Sequence, residues 1–139
     1  MTASPIKLYT PEVLALATSL ARWPHDPTMP HQGKARSQTC GSALAVSLQT
    51  DEDGRISELG LAAQACAVGQ ASAAIFSAEA IGKMRADLES ATADLEAWLK
   101  GCAKLPNWPG LAAIAPAQTY IARHGAILLP WKAALDALP

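Results

Sequence analysis

Residues 67–81 read Ala-Val-Gly-Gln-Ala-Ser-Ala-Ala-Ile-Phe-Ser-Ala-Glu-Ala-Ile, a helix-compatible run with almost no side-chain bulk, and Gly82 follows as a C-terminal stop. A helix this lean admits close approach by another element, and the large side chains that fill the remaining space must come from elsewhere in the chain. The residue ahead of it is Cys66. There the unpaired N–H groups and the positive end of the helix dipole favour the thiolate, the form that binds metal or attacks sulfur.

Thr10-Pro11-Glu12 provides an N-cap, a proline at the first helical position and an acid in the first turn, and Val13, Leu14, Ala17, Leu20 and Ala21 follow at helical spacing to about Arg22. Pro24, Pro27 and Pro30 predict an irregular, mobile segment through Gln38 that carries His25, His31, Lys34 and Arg36. Leu44, Val46 and Leu48 alternate with Ala45, Ser47 and Gln49. Asp51-Glu52-Asp53-Gly54 supplies a turn, and Ile56, Leu59 and Leu61 continue beyond it, so residues 42–65 predict a hairpin with 62–65 as a short third strand.

Residues 84–100 predict an amphipathic helix ending at Gly101, with Met84, Leu88, Ala91, Leu95, Trp98 and Leu99 on its apolar side. Residues 111–114 read as a short turn among prolines, and 121–138 as a last helix interrupted or restarted at Pro130. The expected fold is α+β: a small, mainly antiparallel three-stranded sheet with helices on one face and the cysteine-bearing loops at one end.

The 139 residues, 50% hydrophobic and 17% charged, match one soluble domain over 1–139. A net charge of −1 gives no electrostatic ground for nucleic acid or an anionic membrane as partner. No apolar run approaches the ~20 residues of a membrane span. The N-terminus, with Pro5 and Lys7, lacks the order of a signal peptide, so the expected location is cytoplasmic. Three cysteines without export features read as reduced thiols rather than a disulfide framework.

Cys40 opens Cys40-Gly41-Ser42, where Gly41 permits close backbone approach to the sulfur. Its polar surroundings read as those of a ligand or reactive thiol more readily than of a core residue. Cys66 is open to two readings, a thiolate at a helix end or a small buried hydrophobe. His124 offers either a neutral ligand nitrogen or a local hydrogen bond. Cys102 reads as a solvent-facing or packing thiol. Trp98 reads as core, whereas Trp131 is open to core packing or to a surface for a partner protein. Hydrolase, zincin, NTPase and dinucleotide-binding fingerprints are absent from the sequence, and the chain is not expected to be an enzyme unless Cys40 transfers sulfur.

The order of helix, proline-rich segment, Cys40-Gly41-Ser42, hairpin, Ala65-Cys66-Ala67-Val68-Gly69-Gln70-Ala71-Ser72-Ala73-Ala74, amphipathic helix and Ala122-Arg123-His124-Gly125-Ala126-Ile127-Leu128-Leu129 resembles the NifU/IscU-like, SufU-related iron–sulfur cluster assembly scaffolds over nearly the whole chain. The resemblance implies that Cys40 and Cys66 match two cysteines of the family site and His124 its histidine. Ser42 stands where the family has an aspartate and Gly125 where it has a third cysteine. It also implies iron or a labile [2Fe-2S] cluster on Cys40 and Cys66 with His124 as third metal ligand. A cysteine desulfurase and recipient apoproteins are the implied partners, and a second copy of this chain, as a homodimer, is one source of a missing ligand. Two alternatives accompany it: zinc-dependent sulfur transfer on the same residues, and a metal-free interaction protein that keeps the scaffold fold.

Overall fold

A computed structural model describes residues 8–139; the expectations resting on Pro5 and Lys7 lie outside them. Helix α1 (Pro11–Ser19) starts as its sequence dictates. The Thr10 hydroxyl accepts the Val13 N–H at 3.1 Å, and Pro11 occupies the first turn, where a missing N–H costs nothing. A 3-10 turn, Leu20–Arg22, continues it.

Three strands follow, β1 (His31–Arg36), β2 (Ala43–Thr50) and β3 (Ile56–Gln64), in an antiparallel meander of order β1-β2-β3. The three-stranded sheet is as expected, but its third strand is β1, not residues 62–65, of which 62–64 simply complete β3. The positions of β1 that face the helices are His31, Gly33 and Ala35, so its sequence shows no apolar alternation. Its burial comes from helix α4 (His124–Ala137), packed so tightly that a Cβ on Gly33 would stand 2.6 Å from the Ala137 nitrogen.

The proline-rich residues before β1 are also fastened rather than loose. Leu61 N–H donates to the Trp23 carbonyl at 2.8 Å, Asp26 N–H donates to the Ser47 hydroxyl at 3.0 Å, and the Gln32 side-chain amide donates to the carbonyls of Asp26 and Met29. Gly60 admits this strap, since a Cβ there would lie 2.8 Å from the Pro24 carbonyl carbon. At the β2–β3 turn the Asp51 carboxylate accepts the N–H groups of Asp53 and Arg55, and Gly54 takes φ +83.

Helices α2 (Ala67–Ala80) and α3 (Arg85–Leu99) lie within a residue or so of expectation. Gly82 at φ +89 ends the first, and the Met84 N–H caps onto the Asp87 carboxylate at 2.8 Å to start the second. The lean face of α2 meets α4 where Gly69 would place a Cβ 3.2 Å from that of Ala126, and the Ser72 hydroxyl donates to the Ile127 carbonyl at 2.6 Å. The turn expected at 111–114 is the start of a 3-10 segment, Leu111–Thr119, with Pro116 inside it.

Helix α4 corrects another expectation. It runs unbroken through Pro130, which forfeits one backbone hydrogen bond but is buried between Leu129 and Trp131, where core packing offsets the loss.

Leu44, Val46 and Leu48 of the sheet meet Phe76, Leu88, Leu95, Ile127 and Trp131 in one core. Phe76, Trp108 and Trp131 form its aromatic centre, with ring centroids 5.3–5.7 Å apart, and the Trp108 indole N–H donates to the Ile75 carbonyl at 3.0 Å. Trp131 is fully buried, so its reading as part of a partner surface is wrong; Trp98 is buried as expected. Among the described residues, no helix is long and apolar enough to cross a membrane.

Candidate functional site at the open end of the sheet

The register of the sheet brings the two cysteine-bearing segments together. Ala43, the first residue of β2, pairs with Gln64, the last of β3. Cys40 lies just before the one and Cys66 just after the other, so both thiols leave the ladder at the same end. The 3-10 turn Ile121–Arg123 that leads into α4 reaches this end too, where Thr39 Oγ1 donates to the Ala122 carbonyl at 3.4 Å.

Cys40 lies in the β1–β2 turn, which closes through Ser37 N–H to the Ser42 carbonyl at 2.8 Å and Gly41 N–H to the Ser37 carbonyl at 3.1 Å. Gly41 takes φ +70 with nothing near the place of a Cβ, so glycine serves the turn's backbone there. The half-buried sulfur lies 3.1 Å from the Ser42 hydroxyl and 3.4 Å from that of Ser37. Burial pushes the thiol pKa up, but the Ser37 and Ser42 hydroxyls, the Ser42 N–H and the positive charge of Arg123 outweigh it, leaving it below the ordinary cysteine value. Ser37 and Ser42 are themselves buried.

His124 is the first residue of α4. Its Nε2–H donates to the Gln118 carbonyl at 2.6 Å, an assignment that leaves Nδ1 as the nitrogen with a free lone pair. Gly125 beside it faces the Cys40 turn. A Cβ there would overlap the Ser37 hydroxyl oxygen and come within 3.0 Å of Ser37 Cβ and 3.4 Å of Thr39 Oγ1. A cavity of about 460 Å³ opens alongside, bounded by Ser37, Thr39, His124 and Gly125 and flanked by Arg36 and Lys132.

Cys66 is the N-cap of α2, with extended backbone and no capping hydrogen bond from its side chain, and it packs half-buried against the core. The positive charge of Arg123 acts on Cys40, and its guanidinium also reaches the Tyr9 hydroxyl at 3.4 Å. Cys102 is exposed in the turn after α3. Among the described residues, no three of His, Cys, Asp and Glu gather closely enough to hold a metal ion. Cys40, Cys66 and His124 thus share one end of the fold without forming such a group.

Ser37 is the residue the sequence reading passed over, because it fell inside the segment read as irregular. The signal available was its place three residues before Cys40, within reach across a tight turn.

No protein-family model and no functionally curated protein matches the chain. Solved structures do match. One is a nitrogen-fixing NifU-like protein (N-terminal) from Brucella abortus, at 26% identity and TM-score 0.85, covering 94% of this chain and 92% of that one. Another, from the thermophile Fervidobacterium islandicum AW-1, is described as an iron–sulfur cluster assembly scaffold protein for the SUF system. It matches at 19% identity and TM-score 0.84, covering 98% of this chain and all of that one.

Proposed function

Starting from a chain with the fold of NifU-like and SufU iron–sulfur scaffold proteins, we propose that it serves iron–sulfur cluster assembly as a scaffold or accessory protein, with Cys40 as the thiol that takes up the cargo. The observation that supports this most directly is the setting of the Cys40 sulfur, half-buried at the open end of the sheet, beside two hydroxyls and within the field of Arg123. A thiolate is the form that both accepts sulfur and binds iron, and this setting favours it.

In sulfur uptake the Cys40 thiolate attacks the outer sulfur of a persulfide on a donor protein. The new S–S bond forms on Cys40, the donor's S–S bond breaks, and the donor leaves as its thiolate, with no net oxidation or reduction. The donor in this reading is a cysteine desulfurase, and recipient apoproteins take the product.

Iron is cargo here rather than a resident cofactor. Cys40 and Cys66 supply thiolates from the same end of the sheet, with His124 Nδ1 as the neighbouring nitrogen. A complete shell draws its remaining donors from sulfide, a partner protein or a second copy of this chain. Zinc-dependent transfer on the same residues has no observation of its own in its favour, since the donors at this end need outside ligands with either metal.

The test is to incubate the protein anaerobically with a desulfurase and cysteine, trap persulfides and map them by mass spectrometry, then add iron and record the visible spectrum. An added sulfur atom on Cys40, and charge-transfer bands lost in Cys40→Ala and Cys66→Ala, support the reading. Neither sulfur nor iron on the parent chain overturns it and leaves a metal-free interaction protein on the same fold.

A further inference from the structure

We infer that Ser37 and Gly125 form a matched pair that fixes the donor set beside Cys40: the Ser37 side chain fills the space that any side chain at 125 would need, which holds this corner to one thiol lined by hydroxyls.

The pair is built from two directions. Gly125 has no conformational need to be glycine, since its helical backbone suits any residue; what requires it is space. An added Cβ would overlap the Ser37 hydroxyl oxygen and press within 3.0 Å of Ser37 Cβ. Turning the Ser37 hydroxyl relieves only the contact with its oxygen, leaving the approach to its Cβ, and Ser37 as a whole cannot readily withdraw. It is 5% exposed, its N–H and carbonyl are both committed to the Cys40 turn, and its hydroxyl also contacts Thr39 Oγ1 at 3.1 Å. Close-packed interiors resolve such an overlap by moving backbone or expelling a side chain, and both disturb the turn that carries Cys40.

The hydroxyl in the space then does a second job. It lies 3.4 Å from the Cys40 sulfur, and Ser42 contacts the same sulfur from the other side at 3.1 Å. The sulfur is thereby aimed by two oxygen atoms from its own turn, with none of its orientation supplied by α4. Ser37 is a positioning residue, and the chemistry of this corner is that of a single thiol: it accepts one sulfur, or one bond to a metal whose other donors come from outside the turn. A cysteine placed at 125 adds a second thiol only when Ser37 gives up its side chain.

The significance for cargo rests on the function proposed above, but the pairing is measured without it. The first arm compares thermal unfolding of the parent, Gly125→Ala, Ser37→Gly and the double variant. The expected result is a clear drop in Tm for Gly125→Ala that is smaller when residue 37 is already glycine. An equal drop in both backgrounds overturns the pairing.

The second arm loads Co²⁺ anaerobically and reads the cobalt–thiolate charge-transfer absorption of the parent, Gly125→Cys and Ser37→Gly/Gly125→Cys, each with and without Cys40→Ala. The double variant should exceed both others and lose its gain with Cys40→Ala. Gly125→Cys alone matching the double variant overturns the inference. Unfolding of Gly125→Cys that the added Ser37→Gly rescues supports it. Persulfide trapping on the parent is scored separately, so failure of the proposed function leaves the outcome of both arms intact.

Discussion

Gly33 in β1 lies directly against the backbone of α4, where a Cβ would stand 2.6 Å from the Ala137 nitrogen and 2.8 Å from its Cβ and would also overlap the Ala133 carbonyl oxygen. Backbone on both sides leaves nothing flexible to yield. Gly33→Ala should therefore cost about 3 kcal/mol, the upper end of the overpacking range. Gly41→Ala, at positive φ but in open space, should cost only about 1 kcal/mol. Chemical denaturation of the two variants checks the order; equal losses would show that β1 and α4 can separate without cost.

The Cys40 thiol should be more reactive at neutral pH than an ordinary cysteine. Burial raises its pKa, but hydrogen bonds from Ser37 and Ser42 and the Arg123 charge bring it below the ordinary cysteine value. Iodoacetamide alkylation followed by peptide mapping should place its pH midpoint below that value. Ser42→Ala and Arg123→Gln should each move the midpoint up.

The same shift has a sign in stability. Since the folded-state pKa is depressed, the unfolded chain binds more protons between the folded pKa and about 8.5, and stability rises with pH across that window. The contribution is present above the unfolded value and is lost as pH falls through the folded one. Denaturation of the parent and of Cys40→Ala across this range should show the slope in the parent alone.

His124 is expected to matter more for the fold than for cargo. Its Nε2–H is committed to the Gln118 carbonyl, so His124→Ala should cost about 1 kcal/mol. Iron uptake should fall less than in Cys40→Ala. Unfolding and iron stoichiometry measured on the same preparations separate the two effects.

Asp136 near the end of α4 accepts the Lys34 N–H of β1 at 3.0 Å. Asp136→Ala should speed hydrogen exchange at the Lys34 amide, with a loss of stability of about 1 kcal/mol. An unchanged Lys34 exchange rate would mean that the carboxylate adds no protection to this strand.

The elements that were legible in the sequence carry their instructions locally. Thr10-Pro11 starts α1, Gly82 stops α2, Gly101 follows the end of α3, and the alternation of Leu44, Val46 and Leu48 declares β2. What was hidden depends on partners far along the chain. Nothing in His31, Gly33 and Ala35 announces a strand until α4 is there to cover them, and Pro130 reads as a break until its burial beside Trp131 is known. At the candidate site, the two thiols could be picked out from Cys-Gly-Ser and from a helix start, and the sheet register carries both to one end. Ser37 stands three residues before Cys40, but its role shows only against the absence of a side chain at Gly125.

The strap of residues 23–26 has a consequence for life at high concentration. An uncovered outer strand offers its unpaired amides and carbonyls as a template on which another molecule can nucleate a growing stack of strands. Trp23 engages the middle of β3 through Leu61, and Lys83 and Gly82 engage its beginning through Ile56. Pro24 of the strap cannot donate a backbone hydrogen bond, so the covering segment offers a poorer surface for the next strand. The stretch that looks least like structure in the sequence therefore covers part of an open sheet edge, and loosening it should show first as a loss of solubility.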